Sequence, residues 1–151
     1  DLARAADLVQ AARQHDAEAA PCAICSVERH AAVAAYYVAA GELDIAAHYT
    51  EQALQLAQSV QNRLGQARAW HVQGQIHGAR GETAEAETHL SDAAAIFRAL
   101  DNQYDLAQTL RTWGNLPADS AAVREGRRAR RQEARALLAH FQASVRLLLV
   151  E

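Results

Sequence analysis

Apolar side chains in this chain recur at steps of three and four, the spacing that lines one face of an α-helix. Leu64, Ala67, Trp70 and Gly74 make one such stripe, and Ala86, Leu90, Ala93, Phe97 and Leu100 make another. Between them lies Gly81-Glu82, where a left-handed turn costs glycine least. Asn62 and Asn102 each stand just ahead of a stripe, where an N-cap side chain can accept from unpaired backbone N–H groups. The pattern predicts seven helices, near 2–19, 22–40, 42–60, 62–80, 82–100, 102–116 and 119–149.

The stripes repeat. Shifted by forty residues, Ile24, Leu64 and Tyr104 align, then Val27, Ala67 and Ala107, then His30, Trp70 and Leu110, then Ala34, Gly74 and Gly114. Gly41-Glu42 falls on Gly81-Glu82, Ala46 on Ala86 and Ala53 on Ala93. Each unit therefore reads as an antiparallel helix hairpin. Close crossing of its two helices needs small residues, and Gly74 facing Ala86, with Trp70 and Leu90 as fillers, meets that need. The chain divides into a partial repeat (1–21), repeats 22–60 and 61–100, and a divergent terminal repeat (101–151), together one domain that is expected to be a fragment of a longer polypeptide. In the last unit Pro117 stops a helix and Asp119 or Ser120 can cap the next. That final helix carries the stripe Ala134, Leu138, Phe141, Val145 and Leu148, is displaced or lengthened by about two turns, and is expected to kink near Gly126.

Composition agrees with an all-α fold: half of the residues are apolar, alanine dominates them, and 5% are aromatic. All fifteen basic residues are arginine, as codon use in a GC-rich genome gives, and the net charge of −3 offers no general attraction to nucleic acid. No apolar run approaches the ~20 residues of a membrane span, so a cytoplasmic location is expected.

Trp70, Gly74, Gly81, Ala86, Leu90 and Ala93 fall on the signature spacing of the tetratricopeptide repeats, and the chain resembles that family over residues 22 to 116. His77 and Gln73 stand where the family usually has tyrosine and leucine. Tyr37, Gly41, Ala46 and Ala53 match in the preceding unit, with His30 and Ala34 in place of tryptophan and glycine. The forty-residue period looks like the variety found in large bacterial regulators and signalling proteins. The resemblance implies a right-handed superhelix, or solenoid, whose concave face binds peptides or protein segments. Family geometry places Glu28, Ala31 and Ala35, then Arg68, His71 and Gln75, then Gln108, Arg111 and Asn115 along that face. The row is polar and mildly cationic over its last two units, which suits an acidic partner segment. Oligomerisation through the repeat ends and small-ligand binding inside the superhelix are the alternatives.

Candidate chemistry is sparse. Cys22 and Cys25, with His15 and His30 to either side, have the composition of a zinc site, but both cysteines fall in a helix's first turn, where a free, reduced pair is expected. His71, His77 and His89 lack the i, i+4 spacing of a helical metal pair, and His77 is expected to pack. His71 should project from the inner face, away from the Trp70 core. No phosphate loop or nucleophile–base arrangement is present, so neither catalysis nor a cofactor is expected. The run "REGRRARRQEAR" places Arg124, Arg127 or Arg128, Arg131 and Arg135 on one helical face, read as solvated with Glu125 and Glu133 as internal partners.

Overall fold

A computed structural model describes residues 22–148 together with 6, 7, 10 and 11, and side chains as far as residue 143. Six helices follow one another from residue 22: α1 (Ala23–Ala40), α2 (Leu43–Ser59), α3 (Arg63–Arg80), α4 (Thr83–Ala99), α5 (Gln103–Gly114) and α6 (Ala121–Leu148). No strand occurs among the described residues, and the protein is all-α. Of the helix expected near 2–19, residues 6, 7, 10 and 11 are helical and the rest lies outside the described residues.

The repeat is written into the backbone turns. Gly41 and Gly81 adopt φ of +83° and +81°, and Gln61 and Asp101 adopt +54° and +52°, two series forty residues apart. At all four, the following amide reaches back five residues: Glu42 to the Tyr37 carbonyl, Asn62 to Ala57, Glu82 to His77 and Asn102 to Phe97, each at 2.8–2.9 Å. These paired helix-ending bonds occupy carbonyls that the last turn leaves free. Asn62 and Asn102 then start the next helices, accepting from the Gly65 and Asp105 amides at 2.9 and 3.1 Å.

Packing follows the pattern of small residues. α1 lies on α2, α3 on α4 and α5 on α6; α2 also meets α3, and α4 meets α5. α1, α3 and α5 touch side by side, whereas α2 and α4 do not meet. A Cβ on Gly74 would stand 2.5 Å from Leu90 Cγ and 3.3 Å from the Ala86 carbonyl oxygen, so the α3–α4 backbones approach where the sequence places them. Leu90, Ala86 and Ala93 are fully buried. Trp70 is partly buried against the cluster of Ala93, Ala94, Phe97, Leu106, Leu110 and Ala134 that joins α3 to α6.

In the terminal hairpin α6 is lengthened, one of the two expected alternatives, and not displaced: Arg127 and Arg131 face Gly114 as Ala86 and Leu90 face Gly74, a register of forty-one instead of forty. Its extra length lies at the C-terminal end, and it passes Gly126 without a break in the helix. The arginine run is solvated only in part: Arg124, Arg128 and Arg135 are exposed, whereas Arg127, Arg130 and Arg131 turn onto the preceding helices. Arg127 is 2% exposed, pairs with Glu87 on α4 and donates to the Trp113 carbonyl at 3.0 Å. Arg131 donates to the Gly114 carbonyl, and the Arg130 guanidinium lies 3.8 Å from the Trp113 ring centre. Three arginines thus close the carbonyl end of α5 and its last aromatic residue. Glu133 pairs with Arg98 on α4 at 2.7 Å, while Glu125 keeps an internal partner, Arg128, at 3.6 Å.

Candidate partner-binding groove

The side-by-side helices α1, α3 and α5 carry the row of residues expected on the inner face, and every member of that row lines one of two hollows. Glu28, Ala31, Ala35, Arg68, His71 and Gln108 line the first, of about 330 Å³, with Val72, Phe97 and Asp105. Gln75, Arg111 and Asn115 line the second, of about 490 Å³, with Thr112, Leu116 and Pro117. The two hollows lie along successive turns of α3, because Arg68, His71 and Gln75 are three and four residues apart. Alanine at 31, 32 and 35 keeps the α1 wall low, and Val72 and Phe97 contribute apolar surface.

Arg68 organises the first hollow. Its Nη1 donates to Glu28 on α1, and its Nε donates to Asp105 on α5 at 2.9 Å. Burial would lower the Arg68 pKa, but the two carboxylates outweigh it and hold it above the ordinary value. One guanidinium between two carboxylates leaves this end of the groove with a net negative charge, so Arg68 is not the open cation that the residue row alone suggests. Asp105 was absent from the expected row. It stands one turn before Gln108 on the same face of α5, a neighbour that helical spacing could have supplied.

His71 does not project freely. It is wedged between α3 and α5, with Nδ1 2.9 Å from the Thr109 hydroxyl. That hydroxyl donates its own proton to the Asp105 carbonyl at 2.8 Å, so its oxygen accepts from His71. The proton of neutral His71 therefore sits on Nδ1, leaving Nε2 as an acceptor. Burial, reinforced by Arg111 and opposed by Asp105, lowers its pKa to about 4, and the ring is uncharged at neutral pH. Arg111, its counterpart one repeat later, is exposed and has no ion-pair partner among the described residues. The groove is thus electrically two-ended, negative at Glu28, Arg68 and Asp105 and positive at Arg111.

The remaining candidates lie elsewhere. His77 Nδ1 is 2.6 Å from a Glu82 carboxylate oxygen, and its ring stacks on His89 across the hairpin at 5.1 Å. Burial, with His77 adding to it, lowers the His89 pKa. His15 lies outside the described residues. Among the described residues, no group of three or more His, Cys, Asp and Glu side chains could hold a metal ion, and no helix is long and apolar enough to cross a membrane. Comparison with protein-family models, curated proteins and solved structures finds no match.

Proposed function

We propose that this chain is a tetratricopeptide-like helical repeat domain, a right-handed solenoid that binds a peptide or protein segment along α1, α3 and α5. It serves as the non-catalytic scaffold or sensor arm of a larger bacterial signalling or transcription-regulating protein in the cytoplasm. What carries the reading is the layout of the odd-numbered helices. They touch one another while α2 and α4 stay apart, the arrangement of an array that curves with α1, α3 and α5 inside. The polar row then falls into the two hollows of that inner wall.

Charge refines the partner. Arg111 suits a carboxylate, whereas the carboxylate-rich end suits a basic or neutral group, so the segment bound has an acidic side chain at the Arg111 end. A peptide array read by binding of the labelled chain, followed by fluorescence anisotropy on the best sequences, tests this. Arg111→Glu should weaken acidic peptides by at least about tenfold, equivalent to ~1.4 kcal/mol, with helicity unchanged. Wild-type affinity should fall with added salt. Peptides that bind Arg111→Glu as well as wild type would move the site off this face, and an array with no binders would remove the peptide reading altogether.

A further inference from the structure

The beginning of α1 holds two thiols one helical turn apart. Cys22 precedes the helix with an extended backbone (φ −54°, ψ 122°), and its carbonyl accepts the first helical bond from the Ser26 amide at 2.9 Å. Cys25 is the third residue of the helix, and both cysteines are exposed. One turn of separation puts their Cα atoms within the ~4.4–6.8 Å that a disulfide spans, so closure needs rotation of side chains without a shift of backbone. No acidic residue occupies the first turn, and Arg29 follows one turn on, hydrogen-bonded to Ser26 at 3.0 Å.

We propose that Cys22 and Cys25 form a thiol–disulfide exchange site, with Cys22 as the attacking thiolate and Cys25 as the resolving thiol. The environments of the two sulfurs differ in the direction this requires. Cys22 has its pKa lowered, first by the Cys25 amide and then by the Cys25 thiol and the Ile24 amide. Cys25 has its pKa raised, chiefly by the neighbouring Cys22 thiol. The co-substrate is a small-molecule disulfide. Cys22 Sγ attacks one of its sulfurs, the S–S bond breaks, and the departing thiolate takes up a proton. Cys25 then loses its proton, attacks Cys22 Sγ in the mixed disulfide and displaces the second thiol. The dithiol is oxidised by two electrons and one external disulfide is reduced to two thiols. Neither residue lines the groove, so this chemistry is independent of the partner-binding reading.

Glutathione disulfide is the probe, added to the 151-residue chain and followed by intact-mass spectrometry. The wild-type chain should lose about 2 Da without a retained adduct and regain it with a thiol reductant. Cys25→Ser should keep one glutathione adduct, and Cys22→Ser should acquire its adduct at least about fivefold more slowly. On the unaltered reduced chain, brief alkylation and peptide mapping should label Cys22 ahead of Cys25, a reading that needs no variant to fold. Persistent adducts on the wild type, disulfide-linked dimers, or equal labelling of the two cysteines would overturn the proposal.

Discussion

Replacing Arg127 with alanine removes the largest side chain that is fully buried among the described residues. Three terms set the cost. The charge-assisted bond to the Trp113 carbonyl, at the end of α5, contributes about 1.5–3 kcal/mol. The two methylenes beyond Cβ contribute about 1.6 kcal/mol of buried apolar stem. The ion pair to Glu87 adds less than about 1 kcal/mol, because that carboxylate is 41% exposed and rehydrates when its partner goes. Against these stands the dehydration of the guanidinium itself, whose Nε has no hydrogen-bond partner. The net expectation is a loss of roughly 3 kcal/mol, measured as a shift in urea unfolding followed by far-UV circular dichroism. Arg127→Met keeps the stem and should lose only about 1–2 kcal/mol. Arg128→Ala, one residue along and 68% exposed, is the control and should stay within about 0.5 kcal/mol of wild type. If Arg127→Ala unfolds at the same urea concentration as Arg128→Ala, the guanidinium does not tie α6 to α4 and α5 as described.

Three further outcomes can be checked on the same apparatus. Ala86→Leu should overpack the α3–α4 crossing at Gly74 and destabilise the chain by about 1–3 kcal/mol, and near-wild-type melting would put that crossing elsewhere. Gln61→Gly should stabilise by about 0.5 kcal/mol, since glycine relieves the positive φ at more than it costs in unfolded-chain entropy; a destabilised variant would count against the left-handed helix end. His71 has a folded pKa of about 4, below its unfolded value of about 6.5, so the unfolded state binds the proton first on acidification. Its contribution, at most roughly 3 kcal/mol, is whole above pH ~6.5 and is lost as the pH falls toward 4. The stability gap between wild type and His71→Gln should therefore narrow over that window, and a constant gap would mean the ring is not buried neutral.

Much of the architecture was legible because it rests on local rules. Glycines at 41 and 81, asparagines at 62 and 102, and apolar residues at helical spacing each act within one or two turns of chain, so the helices α1–α5 begin and end within three residues of where the sequence places them. Gln61 gave no such signal, since glutamine does not mark a left-handed turn, and Asp101 gave only a weak one, aspartate being among the few non-glycine residues that tolerate it; the shared forty-residue register is what reveals both. The row Glu28, Arg68, His71, Gln75, Gln108, Arg111 and Asn115 was likewise a matter of which helical face each residue occupies, and the hollows lie along it. What those residues do electrically was not. Charge on a side chain is local, but its availability depends on what lies opposite: Arg68 is held by carboxylates forty residues before it and thirty-seven after it. His71 is uncharged because α5 buries it. The arginines of α6 show the same division most sharply. Their sequence reads as a wet face, yet Arg127 is buried where Ala86 is buried one repeat earlier. Only the truncated end of α5, with carbonyls that need donors, makes a guanidinium the better core residue there.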